Sequence, residues 1–222
     1  MRMRSALVRV GATVVVAAVL ASCSDGGGTS EESEGVAASA VCGGFAKDAA
    51  ATAALKAATG SDRFDDDLSK PEKALDGLRD ATRAPLADSY RPLPVPYCWL
   101  LPTGGGEKTV IVKLSPTNKA PGLAPEHAKR VTSYASGLQA FSSSGLGFLY
   151  FPCDLKEPSH DFVVEVQVWG PPGVPKTDLP QRTRLITLAN AAARKVSAEL
   201  GCQGDRLASG VPVATPNPSA SP

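Results

Sequence analysis

The chain has 222 residues, of which 43% are hydrophobic and 20% charged, and its formal net charge at pH 7 is +1. This near-neutral balance argues against nucleic acid as a partner, because nucleic-acid-binding surfaces concentrate Lys and Arg. It argues equally against attachment to an anionic membrane through a polybasic patch.

The first 22 residues have the pattern of a secretory signal peptide. Arg2, Arg4 and Arg9 precede an uncharged run of mainly Val, Ala and Leu at residues 10–20. A positive segment followed by a short apolar segment is typical of such a signal. The run is shorter than the roughly 20 apolar residues that a membrane-spanning helix needs. The sequence therefore predicts export of the chain.

The signal ends in Leu20-Ala21-Ser22-Cys23, which matches the lipobox of bacterial lipoproteins. In a lipobox the Cys sulfur receives the lipid, and the chain is cleaved just before it. Each buried CH₂ contributes about 0.8 kcal/mol, so two or three acyl chains anchor a protein stably. The sequence predicts a lipid on Cys23 and a place on the extracytoplasmic face of the cell membrane. Cleavage would remove three arginines and no acids, which lowers the net charge from +1 to −2.

Four cysteines remain after Cys23 is assigned to lipid. They are Cys42, Cys98, Cys153 and Cys202. An even number in an exported domain indicates two disulfides, and no CxxC spacing points to zinc or redox chemistry. We prefer Cys42–Cys98 with Cys153–Cys202, because each bond would then join a helix end to a strand, although the crossed pairing is also sterically open.

The composition divides the chain into four segments. Residues 1–22 form the signal peptide, and residues 23–40, rich in Gly, Ser and Glu, predict a lipid-anchored disordered spacer. Residues 41–206 have the length of one globular domain. Residues 207–222 contain few core-forming side chains and predict a disordered tail.

Three segments of the domain predict helices. Ala-rich residues 44–59 precede Gly60, a helix stop signal, and residues 71–82 begin with Pro71, which is favoured in a first turn. In residues 181–200, Leu, Ala and Val recur at steps of three and four, which is the pattern of one apolar helix face.

Two pairs of segments predict β-hairpins. Residues 97–101 and 109–114 flank a Gly-rich turn. Residues 146–153 are β-prone, and residues 162–169 alternate between apolar and other side chains.

The segments between the hairpins complete the predicted fold class. Residues 125–134 predict a short helix, and residues 137–144 predict a loop. The order of helices, strands and a final helix predicts an α+β fold. We expect a single disulfide-bonded domain, with an antiparallel sheet of about four or five strands packed by N- and C-terminal helices.

No catalytic, metal or cofactor motif emerges from the sequence. His127 and His160 lie outside any catalytic or zinc motif, and exposed, solvated histidines account for both. Four acids form a cluster: Asp62, Asp65, Asp66 and Asp67. Their spacing is not that of an EF-hand, so we interpret them as a solvated loop. The glycines at residues 104–106 precede a predicted strand, whereas a phosphate-binding loop precedes a helix.

Aromatic residues on the predicted strands are the candidate binding residues. They are Trp99, Trp169, Tyr97 and Tyr150. Trp169 falls on the face opposite the Val row of its strand, and exposed aromatics on a sheet mark many binding surfaces. The alternative is that a helix packs over these rings.

Four short motifs carry a resemblance to a known group of proteins. They are VCGGF (41–45), ATGSDRF (58–64), PYCWL (96–100) and ELGC (199–202). With the lipobox and the polar spacer, the chain resembles secreted lipoproteins of Streptomyces-like actinobacteria. The motifs are cysteines, glycines and helix ends, so the resemblance implies architecture. It implies no activity, and no functional residue is carried over.

These observations favour a non-enzymatic binding or interaction module at the cell surface, anchored through Cys23. Its partner would be an envelope protein or a small ligand. The alternative is a lipoprotein that captures a small ligand, or senses one, for a membrane transporter or kinase. A single domain lacks the second lobe with which a classical solute-binding protein closes over its ligand.

The lipid assignment predicts the result of replacing one sulfur. We expect the wild-type chain, expressed in a bacterium that processes lipoproteins, to incorporate labelled fatty acid and to sediment with membranes. Cys23→Ser should abolish the label, because the hydroxyl cannot replace the thiol in the attachment reaction. A Cys23→Ser chain that still carries the label would contradict the assignment.

Overall fold

A computed structural model describes most of the predicted domain. The described residues are 35–87, 90, 92–156 and 159–216. They all belong to one compact unit. Cys23, the signal peptide, most of the spacer and residues 217–222 of the tail lie outside the described residues.

The described strands form a single antiparallel sheet. They are β1 (Val36–Ala37), β2 (Arg63–Asp65), β3 (Val95–Pro102), β4 (Val110–Thr117), β5 (Thr132–Ala135), β6 (Gln139–Ser142), β7 (Leu146–Cys153), β8 (Phe162–Trp169) and β9 (Val213–Thr215). Their order across the sheet is β1-β2-β3-β4-β8-β7-β6-β5-β9. The sheet thus consists of two four-stranded meanders, β1–β4 and β5–β8, joined where β4 pairs with β8, and β9 extends the second meander.

Five helical segments accompany the sheet in the described part of the chain. They are α1 (Val41–Gly44), α2 (Ala49–Thr59), α3 (Pro71–Ala81), α4 (Pro125–Ala128) and α5 (Leu179–Leu200). The α+β class, the antiparallel sheet and the two disulfides are therefore confirmed.

The predicted number of four or five strands was wrong, since nine are described. The five strands beyond the two predicted hairpins have two to four residues each, which is too short for an alternating pattern to stand out in a sequence. β5 lies in the segment predicted as a short helix, of which only Pro125–Ala128 is helical. β6 lies in the segment predicted as a loop. β2 lies in the acidic loop and is held there by the buried side chain of Phe64.

Two of the strands lie in segments for which disorder was predicted. β1 falls within the spacer, and β9 falls within the tail. The chain before β9 is held by Asn190 of α5, whose Nδ2 donates to the carbonyl oxygens of Ala208 and Gly210 at 2.8 and 3.0 Å. Backbone pairing and a buried amide therefore order a segment that has little apolar content of its own.

The helix ends follow from local capping. α2 begins at Ala49, five residues later than predicted, because Gly44 has a positive φ angle that a right-handed helix does not allow and Asp48 has an extended backbone. Asp48 caps its start by accepting from the amide of Ala51 at 2.8 Å. Gly60 ends it in the left-handed conformation, as predicted.

The core lies between α5 and the middle of the sheet. α5 packs against β7 and β8, α3 packs against β3 and β4, and α2 packs against α5. Val164, Val166 and Val168 of β8 are completely buried on this side. Gly147 of β7 lets the helix approach closely, because a Cβ atom there would lie 3.3 Å from the carbonyl carbon of Leu185.

The disulfides are Cys42–Cys98 and Cys153–Cys202, the pairing that we preferred from the sequence. The first joins α1 to β3, and the second joins the end of β7 to the residue that follows the α5 C-cap, Gly201. Each bond closes a loop of about 50 residues, and a loop of this kind stabilises a domain by roughly 2–4 kcal/mol, mainly by restricting the unfolded chain.

The packing of α5 predicts a large cost for a single truncation. Leu185 is completely buried, so Leu185→Ala should lower the free energy of unfolding by about 3 kcal/mol through lost burial and a residual cavity. Leu179 lies on the same helix and is 58% exposed, so Leu179→Ala is the matched control and should cost well under about 1 kcal/mol. Urea denaturation measures both, and equal losses would contradict the packing described.

Candidate functional site

The two tryptophans lie on the side of the sheet opposite α5, which we call the outer face. Neighbouring side chains on a strand point to opposite sides. Val168 and Cys98 are buried in the core, so the adjacent Trp169 and Trp99 point outward. Trp169 is 44% exposed and Trp99 is half-buried. The helices that cover the core therefore leave both indoles on the other side.

The strand register places four apolar side chains in one line across the outer face. Trp99 of β3 pairs with Ile111 of β4, Ile111 pairs with Trp169 of β8, and Trp169 pairs with Leu146 of β7. We call these four residues the tryptophan row. Ile111 and Leu146 are half-buried, like Trp99. The row crosses four neighbouring strands and is at least partly open along its length.

A second row on the same face mixes polar and aromatic side chains. Its members, in order across the sheet, are Lys113, Gln167, Phe148 and Phe141. The Nζ atom of Lys113 lies 4.9 Å from the centre of the Trp169 ring, a cation–π contact. The rings of Phe141 and Phe148 are 5.2 Å apart between centres. This row places an ammonium group and an amide directly beside the exposed indole.

A chain of hydrogen bonds runs from Trp169 in the tryptophan row through Gln167 in the second row to Glu165, the next outward residue of β8. The indole Nε1 of Trp169 donates to Gln167 Oε1 at 3.2 Å, and Gln167 Nε2 donates to the carboxylate of Glu165. Tyr150, opposite Glu165 in the register, donates its hydroxyl to the same carboxylate. The orientation of the Trp169 side chain is thus linked to a buried phenol.

Tyr150 lies on the outer face, yet it is only 4% exposed. Its ring stacks with Phe141 and Phe148, with centres 6.4 and 6.3 Å away. Burial raises the pKa of the phenol well above its ordinary value, and the charge of Glu165 and the hydrogen bond to it raise that pKa further. Of the two alternatives that the sequence left open for Tyr150, an exposed ring or a covered one, the structure has the covered ring, because neighbouring rings pack against it. Tyr150 lies beside the two rows on the same face.

Tyr97 lies in the core and not on the outer face. The pairing of β3 with β4 shifts by one residue between Pro96 and Cys98, and this bulge turns Tyr97 inward, where it is 1% exposed. Its ring packs edge-on against Phe45. Burial raises its pKa, with smaller contributions from Glu199 and Glu72. The sequence placed Tyr97 among the exposed candidates because a bulge leaves no clear signature there.

The partly exposed half of the outer face lies at one end of the strands. Trp169 and Ile111 belong to this end. At the other end, Ser115 and Thr117 near the end of β4 and Val163 near the start of β8 are buried. The strand order requires the connection between β4 and β5 to cross β8, β7 and β6. Part of this connection, residues 120–123, lies beside the β5–β6 hairpin. The tryptophan row lies toward the opposite end of β4, where that strand begins.

Two cavities occur in the described residues away from the row. One, of about 330 Å³, is lined by residues 120, 121 and 123 of the β4–β5 connection and by the β5–β6 hairpin. The other, of about 520 Å³, lies between the end of α2 and the turn of the β3–β4 hairpin, and it includes Lys108. Neither contains Trp99 or Trp169.

The acidic cluster has structural contacts in the folded chain. Asp66 accepts a hydrogen bond from the amide of Cys42 at 3.1 Å, Asp65 accepts one from the amide of Asp67 at 3.1 Å, and Asp62 pairs with Lys56 at 3.4 Å. No group of three or more metal-ligating side chains comes together among the described residues.

Both histidines are exposed. His127 lies in α4, and the amide of His160 donates to the carbonyl of Thr82 at 2.9 Å.

No helix in the described part of the chain has both the length and the apolarity to cross a membrane.

Comparisons of the chain with protein-family models, with curated proteins and with solved structures found no match.

Sequence reasoning found the tryptophans and missed their neighbours. Ile111 and Leu146 belong to ordinary apolar runs, and Lys113 is an ordinary strand lysine. The alternation within β4 could have assigned Ile111 and Lys113 to one face. It could not have shown that they lie beside Trp169, because that contact depends on the β4–β8 pairing.

The buried phenols predict a loss of stability in alkali. Tyrosines in the unfolded chain release their protons near the ordinary pKa of 10.0, whereas folded Tyr97 and Tyr150 keep theirs to higher pH. The unfolded state then binds fewer protons, so the free energy of unfolding falls as pH rises above that value. Urea denaturation at pH 8 and pH 11 measures the loss.

Two variants test the assignment to a particular residue. Tyr150→Phe should lose less stability than the wild type between these pH values, whereas Tyr90→Phe, at an exposed position, should behave like the wild type. Identical pH dependence in the wild type and Tyr150→Phe would contradict the role given to Tyr150.

Proposed function

We propose that this protein is a lipid-anchored extracytoplasmic binding module without enzymatic activity. Its anchor would be the lipid on Cys23, and its partner would be a component of the cell envelope that it contacts through the tryptophan row. The lipobox and the resemblance to actinobacterial lipoproteins support the anchor and the location. The arrangement of the outer face supports the binding role.

One observation carries this proposal: a sheet covered by helices on one side presents a line of apolar side chains on the other. Single exposed apolar side chains are common on protein surfaces, but partly exposed aromatics that are aligned on an ordered face favour a binding role. Trp169 is also held in place, by Lys113 over its ring and Gln167 at its nitrogen. Such fixed aromatic anchors lose little conformational freedom when a ligand binds.

A second candidate is the capture of a small ligand. The cavity of about 330 Å³ beside the β5–β6 hairpin is at the lower end of the range for ligand sites. It includes Gln139, whose side-chain oxygen is buried and has no hydrogen-bond partner. A ligand with a donor group would satisfy that oxygen. This reading predicts binding that depends on the cavity and is independent of Trp169.

Truncation of the exposed indole tests the proposed function. The lipidated wild-type protein in detergent micelles should co-sediment with detergent-extracted cell envelopes. Trp169→Ala should bind at least about 10-fold more weakly, which corresponds to about 1.4 kcal/mol, because the central anchor of the row is lost.

Controls separate the outer face from the rest of the surface. Leu93→Ala removes an apolar side chain that is 89% exposed and lies outside the tryptophan row, and it should bind like the wild type. Leu138→Ser alters the rim of the cavity and should also leave binding unchanged. Full binding by Trp169→Ala, together with weakened binding by Leu138→Ser, would replace the proposal by small-ligand capture.

A further inference from the structure

We propose that the ligand of the tryptophan row is an extended, uncharged polysaccharide with β-1,4 linkages. This inference rests on the proposed function, because it names the chemical class of the partner for the same face. Three properties of the row support it: its spacing, the polar groups beside it and its narrow width.

The spacing of the indoles matches a regular polymer. Adjacent strands lie about 4.8 Å apart, so Trp99 and Trp169, which are separated by the single strand β4, are roughly 10 Å apart across the sheet. That distance is about the length of one disaccharide unit in an extended β-1,4-linked chain. Successive sugars in such a chain are turned over, so every second sugar presents the same face. Two such sugars could therefore stack on the two indoles, with Ile111 beneath the sugar between them.

The groups beside the row fit the hydroxyls of a sugar. Lys113 and Gln167 lie next to Trp169 in the second row and provide N–H donors, while Gln167 also provides an acceptor. Lys113 and Glu165 carry opposite charges on the same face, so the two charges balance. An acidic polymer or an anionic lipid surface would be bound by a cluster of cations. A neutral, hydroxyl-rich ligand suits the mixture that is present.

The width of the exposed apolar surface favours a chain over a protein partner. A stable protein interface buries about 800 Å² on each side around an apolar centre. Of the four residues in the row, Trp169 is 44% exposed and the other three are half-buried. The next outward residues, Lys113 and Gln167, are polar, and beyond them Ser115, Thr117 and Val163 are buried, which confines the apolar surface to a strip. A linear sugar chain laid across the strands contacts such a strip along its whole length.

Calorimetric titration of the lipidated protein in detergent micelles tests the inference. The probes are β-1,4-linked N-acetylglucosamine oligomers of two, three and six sugars. We expect saturable binding of the hexamer. Affinity should rise at least about fivefold from the dimer to the trimer, because only three or more sugars reach both indoles. An α-1,4-linked glucose hexamer has a different curvature and should bind at least about 10-fold more weakly.

Variants assign the binding to the row. Trp169→Ala and Trp99→Ala should each weaken hexamer binding at least about 10-fold, Trp169→Tyr should restore part of it, and Leu93→Ala should leave it unchanged. Unfolding midpoints identify any loss that comes from unfolding. If Trp99→Ala unfolds the protein, Ile111→Ser and Trp169→Ala still test the row.

The possible failures are distinguishable from failure of the proposed function. If the wild type binds envelopes through Trp169 but binds no oligosaccharide, and proteinase treatment of the envelopes abolishes that binding, the partner is a protein. The polysaccharide inference is then overturned, while the binding module remains. Equal hexamer affinity of the wild type and Trp169→Ala would also overturn the inference. Absence of both envelope binding and oligosaccharide binding would overturn the proposed function with it.

Discussion

The burial of α5 against the middle of the sheet is the interaction on which the remaining structure depends. Leu185, Leu188 and Val196 of this helix are completely buried. Their apolar stripe determines which face of β7 and β8 is buried in the core, because the side chains of a strand alternate between its two faces. The same helix carries the disulfide partner of β7 just beyond its end and holds the chain that leads into β9 through Asn190. This one helix therefore positions the core, the Cys153–Cys202 disulfide and the edge of the sheet at β9.

The candidate site follows from the same constraint, since each outward side chain is the neighbour of an inward one. Val168 lies in the core because α5 is there, and this alone turns Trp169 outward. The two other aromatic candidates show the limits of this logic. A bulge in β3 carries Tyr97 into the core, and a cluster of rings covers Tyr150 although it points outward. The buried phenol still serves the site, because its hydrogen bond to Glu165 supports the amide that holds the Trp169 nitrogen.

The sequence predicted those parts of the fold that have strong local signals. The bounds of β7 and β8 agree with the predicted segments, because these strands have a clear β-type sequence pattern. α3 begins at the predicted proline, because proline is a strong helix-start signal. The short strands could not be predicted, since two to four residues gain their structure from pairing with distant partners. For the same reason the sequence identified Trp99 and Trp169 individually but not the row that they form. Contacts across the β3–β4–β8–β7 register are tertiary information.

The junction between the two meanders has a consequence for how the chain folds. In the second meander, neighbouring strands are close in sequence, so their hairpins require only short loops to close, whereas in the first meander only β3 and β4 are joined in this way. The β4–β8 junction instead joins segments separated by the whole of β5 to β7, which makes it a contact of high sequence separation and slow to form. Both indoles of the row are brought into line only when this junction closes. We therefore expect the outer face to assemble after the hairpins form, so that an incompletely folded chain carries both tryptophans without aligning them.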